Sequence, residues 1–133
     1  MKKISLQYSI DKIGLPLIVT SSKPHICFLI DTGATHNIVF TYVYKELSDI
    51  FTTTQETLSL MGIDGVSNEV NQVEAVIAFD DKNIKTSFSI LDATRAVLQI
   101  QNEHGIQIHG ILGIPFLTQN KWVLDFNKLN VQC

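Results

Sequence analysis

Short apolar segments separated by frequent turn residues constrain the fold of this chain most strongly. Clusters of turn residues recur at intervals of roughly 8 to 12 residues, which leaves little room for long helices. The three most pronounced of these clusters, which are further apart, stand at residues 21–25, 62–65 and 80–83. Sequences with this spacing form small β-barrels and sandwiches. We therefore predict a mostly β fold, and the length of 133 residues suits a single domain over residues 1–133.

The alternation of apolar and polar residues predicts where the strands lie. Ile4, Leu6, Tyr8 and Ile10 alternate with polar neighbours, which predicts a first strand over residues 4–10. The other predicted strands cover 15–20, 26–30, 57–61, 66–79, 84–91 and 122–126, the last of them followed by a turn at Asn127-Lys128. One or two short helices are expected, at 42–51 and 115–119, and residues 93–101 fit a helix or a strand equally well.

Composition supports a packed core and argues against two classes of partner. The sequence is 45% hydrophobic and 17% charged, and its 10 basic and 13 acidic residues are dispersed, with a net charge of -3. A nucleic-acid surface requires a basic face, so we expect no nucleic-acid partner. The longest apolar runs, such as 26–30, are far too short to span a bilayer, so we expect no membrane partner.

The N terminus and the cysteines bear on the cellular compartment. Residues 1–3 resemble the start of a signal peptide, but residues 4–9 alternate and form no apolar segment, so we expect a cytoplasmic protein. Cys27 and Cys133 show no metal-ligand spacing, and neither do the 4 histidines. We expect free thiols, no metal site and no cofactor.

The candidate catalytic residue is Asp31, which follows the predicted buried strand 26–30 and precedes Thr32 and Gly33. The strand would fix the carboxylate, and the glycine would let backbone N–H groups approach it. One Asp alone is a poor catalyst of amide hydrolysis, whereas two carboxylates within about 3 Å share one proton and act as a base and an acid. A chain with one such loop obtains that pair only across a two-fold axis.

The tripeptide Asp31-Thr32-Gly33 also has a simpler interpretation as a turn, because all three residue types are common in turns. Such a tripeptide arises by chance in roughly a few per cent of chains of this length. Its context gives it weight: an apolar strand precedes it, and the apolar pair Ile38-Val39 follows it.

The segment from Phe28 to Ala34 resembles the active-site loop of the retropepsin-like aspartic peptidases. Two further segments occur in the order of that family. Residues 62–65 resemble the tip of its flap, the hairpin that closes over the substrate, and Ile111-Leu112-Gly113 resemble the hydrophobic-hydrophobic-Gly segment that supports the catalytic loop. Residues 122–126 resemble the strand after the family's short helix in its bacterial and cellular branches. This resemblance implies a closed β-barrel with a flap hairpin.

The resemblance also implies roles for individual residues. Asp31 would be the catalytic carboxylate, Thr32 would join the two loops of a dimer, and Gly33 and Ala34 would complete the loop. The implied flap tip and substrate contacts are Gly62, Ile63, Asp64 and Gly65. The implied structural support consists of Ile111, Leu112 and Gly113.

Three positions depart from the retroviral pattern. Thr35 and Ile114 stand where retroviral members usually carry an Asp and an Arg that form an ion pair near the dimer contact. Because both partners are missing together, no unpaired buried charge results. Asp64 replaces the more usual glycine at the flap tip and would add negative charge near the cleft.

Two hypotheses follow. The first is an aspartic endopeptidase that is active as a homodimer, in which two Asp31 carboxylates activate water against a peptide or protein substrate. The second is a catalytically weak or inactive peptide-binding or dimerisation module on the same fold. The intact Asp31-Thr32-Gly33 favours the first, because a pure binding module has no need of the acid.

Overall fold

A computed structural model of the protein describes residues 2–61 and 67–133, with side chains described for 2–54 and 71–133. The strands are β1 (Lys3–Ser5), β2 (Leu17–Val19), β3 (Cys27–Ile30), β4 (Ile38–Phe40), β5 (Thr52–Met61), β6 (Ser67–Phe79), β7 (Lys82–Leu91), β8 (Gly110–Leu112), β9 (Val123–Asp125) and β10 (Asn130–Gln132). The helices are α1 (Gln7–Ile13), α2 (Thr41–Glu46), α3 (Thr94–His104) and α4 (Ile114–Gln119), and a turn of 3₁₀ helix covers Ser48–Ile50. The fold is mostly β, as predicted.

The strands form two sheets rather than one closed barrel. One sheet has 7 strands in the order β2-β3-β8-β4-β7-β6-β5, and the other has 3 strands in the order β1-β10-β9. Within the described residues neither sheet closes on itself, so the predicted closed barrel is wrong. The physical reason is that the chain ends pair with each other in the small sheet, which leaves β2 and β5 as the edges of the large one.

The centre of the large sheet brings distant parts of the sequence together. β3 and β8 are parallel, with Ile30 opposite Leu112, and β4 lies antiparallel to β8 and parallel to β7. These strands carry the core, in which the rings of Phe28 and Phe88 stack with centroids 5.6 Å apart. Because β3 and β8 run parallel and in register, the residues that follow them, 31 and 113, leave the sheet at the same edge.

The N-terminal segment is a helix over much of the predicted first strand. Only Lys3–Ser5 is extended, and α1 follows. Leu6 and Ser9 are buried, while Tyr8 is 72% exposed, which is a helical rather than an alternating pattern. The Ser9 hydroxyl donates to the Leu6 carbonyl at 3.3 Å and accepts from the Leu17 N–H at 3.0 Å, which ties α1 to β2.

The other helices also differ from the predictions. The predicted helix 42–51 is divided into α2 and the 3₁₀ turn. The ambiguous segment 93–101 is helical from Thr94 onward, as the first part of α3. Glycines in the left-handed conformation follow the last residues of α1 and α3, with a φ of 73° at Gly14 and 70° at Gly105. The described residues thus hold four α-helices rather than one or two. α4 matches its prediction, with Pro115 in its first turn. No helix among the described residues has the length and apolar character needed to cross a membrane.

The C-terminal segment contains one strand more than predicted. β9 is short and ends at Asp125, whose carboxylate accepts the N–H groups of Asn127 at 3.0 Å and Lys128 at 2.9 Å. This turn reverses the chain into β10, which lies between β9 and β1. The backbones of Lys2 and Cys133 exchange two hydrogen bonds, of 2.9 and 2.8 Å, so the two chain ends pair within one molecule.

Candidate active site

Asp31 stands at the point where β3 leaves the sheet. Its N–H donates to the Leu112 carbonyl at 3.0 Å, which extends the pairing of β3 with β8 by one residue. Its carboxylate Oδ1 accepts the Gly33 N–H at 2.8 Å, and its carbonyl accepts the Ala34 N–H at 3.2 Å. The residue is half-buried and Thr32 is exposed. The strand end and the tight turn therefore fix the carboxylate while leaving it open to one side.

Glycine at position 33 leaves room for this close approach. A Cβ atom added there would lie 3.3 Å from Asp31 Oδ1, which is tighter than ordinary van der Waals contact. A side chain at position 33 would therefore require the Asp31 carboxylate to shift by a few tenths of an ångström. Gly33 thus lies where the backbone of the turn comes close to the carboxylate, and its role in a catalytic loop stays a prediction.

Gly113 lies directly beneath the loop that carries Asp31. A Cβ added to Gly113 would stand 2.5 Å from the His36 carbonyl oxygen and 2.7 Å from that of Ala34. Ile114 donates its N–H to the Ala34 carbonyl at 2.9 Å. Leu112, just before, is fully buried, and Ile111 is partly buried against the core. The predicted support segment therefore does lie against the Asp31 loop.

Asn37 is a residue of this site that the sequence analysis did not identify. Its buried side-chain Oδ1 accepts the N–H of Gly113 at 3.0 Å and of Phe116 at 3.2 Å, and its Nδ2 donates to the Ser87 carbonyl at 3.3 Å. Its own carbonyl accepts the Ser89 N–H at 2.8 Å. The side-chain amide of Asn37 thus links the Asp31 loop to the start of α4 and also to β7. The one sequence feature that could have indicated Asn37 is its position as a polar residue directly before the apolar run 38–40.

Of the three positions that depart from the retroviral pattern, Thr35 lies in the Asp31 loop and Ile114 is the first residue of α4. Thr35 is exposed, and its hydroxyl lies 3.0 Å from the Nδ1 atom of His36. Ile114 is 40% exposed although it is a large apolar side chain. A neutral polar residue and an apolar one therefore stand at these two positions, and the Ile114 N–H ties the start of α4 to the loop through the Ala34 carbonyl.

Cys27 and His109 form a pair at the start of β3, away from the Asp31 end. The Cys27 N–H donates to His109 Nδ1 at 2.8 Å, so that nitrogen must be unprotonated and the ring neutral. Burial raises the pKa of the Cys27 thiol to about 11 and lowers the pKa of His109 below its usual value, with Glu46 acting in the opposite direction on the histidine. A thiol with that pKa is protonated at neutral pH, which argues against its use as a nucleophile.

The remaining predicted site residues fall outside the described structure. β5 and β6 pair in an antiparallel ladder that reaches Met61 opposite Ser67. The predicted flap tip, Gly62, Ile63, Asp64 and Gly65, lies beyond that pair and outside the described residues. Among the described residues, no group of three or more His, Cys, Asp or Glu side chains is arranged to hold a metal ion.

Comparisons with known proteins support the fold. No protein-family model matches the sequence, and no curated protein matches it significantly. Among solved structures, the chain is similar to EIAV protease complexed with the inhibitor HBY-793, with a TM-score of 0.60 and 20% identity over 80% of this chain and 88% of that one. It is also similar to the retroviral protease-like domain of Ddi1 from Leishmania major, with a TM-score of 0.56 and 12% identity over 90% of this chain and 92% of that one. The chain therefore has a retropepsin-like fold.

Proposed function

We propose that the protein is an aspartic endopeptidase that is active as a homodimer, with one Asp31 from each chain. The observation that carries this proposal is the position of Asp31, fixed at the end of β3 by the Gly33 N–H and left open on one side. The similarity to a protease that binds an inhibitor supports it at the level of the fold. The sequence holds the tripeptide Asp-Thr-Gly once, so the second carboxylate has to come from a second chain.

The chemistry follows from two carboxylates brought close together. At about 3 Å they cannot both ionise, so the pair holds one proton. The ionised Asp31 takes a proton from a water molecule as its oxygen attacks the peptide carbonyl carbon, and the protonated Asp31 donates to the carbonyl oxygen. The tetrahedral gem-diol intermediate then collapses. The Asp31 that took the water proton gives it to the leaving nitrogen, and the other Asp31, now ionised, takes a proton from a hydroxyl of the intermediate as the carboxylic acid product forms, which restores a pair with one proton.

The other predicted residues have supporting roles in this proposal. Thr32 joins the two Asp31 loops, and Ile63 at the flap tip contacts the substrate or the partner chain. An extended peptide lies between the loops and the two flaps, held by backbone hydrogen bonds of the β type. Gly113 and Asn37 keep the loop in place from beneath.

The test is cleavage of an unstructured polypeptide between acidic and neutral pH by the wild-type chain and by Asp31→Asn. The variant keeps the size of the side chain and its oxygen acceptor but loses the base, so cleavage is expected to fall by at least about a hundredfold. Both proteins are first shown to unfold at the same temperature. Equal cleavage by the two proteins would refute the assignment.

Mixing the two proteins tests the shared site directly. If each chain supplies one carboxylate, an equal mixture that pairs at random keeps both Asp31 residues in about one quarter of its dimers. Activity of the mixture, relative to an equal total amount of wild type, is expected to approach that fraction after equilibration. A value of one half would mean that each chain works alone. Peptide binding without any cleavage by wild type would support the alternative of an inactive binding module.

A further inference from the structure

Three large apolar side chains stay exposed on the segment 114–126, which follows the glycine beneath the Asp31 loop. They are Ile114 at the start of α4, Val123 on β9 and Phe126 just after β9, and they are between 40% and 61% exposed. The segment begins at the Asp31 loop, because the Ile114 N–H donates to the Ala34 carbonyl at 2.9 Å. The six residues of α4 span only about 9 Å, so β9 follows a short distance further along the chain.

The outer edge of β9 carries unpaired backbone groups. The two hydrogen bonds between Lys2 and Cys133 show that the odd-numbered residues of β10 direct their N–H and C=O groups toward β1, and the even-numbered ones toward β9. In β9 the groups of Val123 and Asp125 therefore face β10, and those of Leu124 face away from the sheet. The N–H and C=O of Leu124 have no hydrogen-bond partner among the described residues.

This edge of β9 lacks the usual protection against a further strand. Native sheets protect a free edge with outward charged side chains, a proline or a bulge. The three residues of β9 include no proline, and they pair with β10 without a bulge. Their one charged side chain, Asp125, accepts the N–H groups of Asn127 at 3.0 Å and Lys128 at 2.9 Å, which turns the chain into β10. The edge is therefore open to pairing.

Packing fixes the position of β9 relative to the Asp31 loop. Trp122, which precedes β9, meets the rings of Phe79 and Phe116 with centroids 5.1 and 4.8 Å away. Its N–H donates to the Leu117 carbonyl at 3.0 Å, so α4 passes into β9 without a flexible linker. The Phe116 N–H in turn donates to Asn37 Oδ1 at 3.2 Å. A molecule that pairs with β9 would therefore take a defined position relative to Asp31.

An antiparallel edge of this kind is complementary to a second copy of itself about a two-fold axis. Two β9 strands that meet with Leu124 opposite Leu124 of the partner subunit would exchange two hydrogen bonds there. In this register Val123 stands opposite Asp125 of the partner subunit, and Phe126 comes near Trp122 of the partner subunit. The two small sheets would join into one sheet of six strands, in the order β1-β10-β9-β9-β10-β1.

We propose that the free edge of β9 is the surface through which two copies of this chain dimerise, with Leu124 at the two-fold axis. The inference rests on the proposed peptidase function, because a chain with one Asp-Thr-Gly needs a second copy to complete its pair of carboxylates. The same axis passes between the two Asp31 side chains. Ile114, which lies between the loop and β9 in the sequence, contributes apolar area to this contact.

The experiment measures the dissociation constant of the dimer by analytical ultracentrifugation for wild type, Val123→Glu, Val123→Lys and the control Val19→Glu. Val19 is a similarly exposed valine on β2, an edge strand of the large sheet, and it pairs with Cys27 at the end of β3 away from Asp31. Val123→Glu places a negative charge opposite Asp125 of the partner subunit, twice in each dimer, and Val123→Lys places a positive charge there. Thermal unfolding of dilute, monomeric protein checks that each variant keeps its fold.

Val123→Glu should raise the dissociation constant about tenfold, Val123→Lys should raise it less, and Val19→Glu should leave it unchanged. Hydrogen exchange of wild type provides a backbone readout. Exchange of the Leu124 amide should slow as the protein concentration rises into the dimeric range. The Val19 amide, which also has no partner among the described residues, should exchange at the same rate throughout.

The outcomes separate this interface from the proposed function. Equal weakening by Val123→Glu and Val19→Glu, or a Leu124 amide that does not respond to concentration, overturns the interface and leaves the peptidase standing. Equal weakening by Val123→Glu and Val123→Lys overturns the register. Dimerisation through β9 without cleavage of any polypeptide overturns the proposed function and leaves the interface. A wild type that stays monomeric at every concentration overturns the interface and the shared site together.

Discussion

Replacement of Asn37 by leucine removes the amide that holds the Asp31 loop against α4 and β7. Leucine has nearly the same size but offers no acceptor to the N–H groups of Gly113 and Phe116 and no donor to the Ser87 carbonyl. The bonds to Gly113 and Phe116 are buried, so water does not substitute for those two lost partners. We therefore expect Asn37→Leu to destabilise the protein far more than its change of volume would suggest.

The magnitude follows from the two N–H groups left unpaired. Each buried unsatisfied group costs about 1–3 kcal/mol, and the apolar leucine side chain offsets part of that, so a net loss of about 3 kcal/mol is expected. A chain of 133 residues has an unfolding entropy of about 0.28 kcal/mol/K when each residue contributes about 2.1 cal/mol/K. The melting temperature should therefore fall by about 10 °C.

The assay is thermal unfolding followed by circular dichroism, with Asn37→Asp as the control. Aspartate keeps an oxygen that accepts both N–H groups, but it loses the donor to Ser87 and would bury a negative charge at neutral pH. The variants are therefore compared with wild type at an acidic pH at which this carboxyl group is neutral, and there the melting temperature of Asn37→Asp should fall by less than half as much. A fall below about 3 °C for Asn37→Leu would show that the hydrogen bonds of Asn37 do not hold this loop. Equal losses in both variants would place the effect on the bond to Ser87 instead.

Two further predictions concern stability. The folded state lowers the pKa of His109 below the value of 6.5 expected for the unfolded chain, so the unfolded state binds more protons between those two pKa values. The stabilising contribution of neutral His109 should be full above about pH 6.5 and decline as the pH falls toward the lowered pKa. The free energy of unfolding of His109→Asn, measured by chemical denaturation, should decline less over the same pH range. The same pH dependence in wild type and variant would contradict the assignment. Val131→Ala, at a fully buried position of β10, should cost about 2 kcal/mol in urea denaturation, whereas Val123→Ala, at a position 47% exposed on the neighbouring β9, should cost less than about 0.5 kcal/mol. Equal costs would mean that β10 is not packed as the structure shows.

The sequence predicted β3, β6 and β7 well because their apolar runs are bounded by clear turn residues, whereas β4 and β8, two strands of three residues at the centre of the large sheet, were not predicted. β3 and β7 lie where predicted, and α4 begins with the proline that marked it. The N-terminal helix α1 was missed for a physical reason. Leu6 and Ile10 fit both an alternating and a helical period, and only the burial of Ser9 and the exposure of Tyr8 distinguish the two.

The candidate site was predictable only in the parts that have a local signature. Asp31 and Gly33 form a tight turn, which neighbouring residues specify, and Gly113 marks a close approach of two backbones. Asn37 was missed because its function depends on partners 76 and 79 residues away in the sequence, at Gly113 and Phe116. Nothing in a single sequence distinguishes such an asparagine from one in a surface turn.

The small sheet bears on how the proposed dimer would be held together. β10 already has β1 on one side and β9 on the other, and Lys2 and Cys133 are hydrogen-bonded to each other in the same chain. An exchange of terminal strands between two chains would break these bonds and form the same ones again, with no net gain in contacts. The energy of dimerisation would therefore have to come from other surfaces. The exposed apolar side chain of Ile114, whose backbone is hydrogen-bonded to the Asp31 loop, is one such surface. A contact through Ile114 would make the free energy of dimerisation depend on apolar burial rather than on an ion pair. Dimer strength would then vary only weakly with salt concentration.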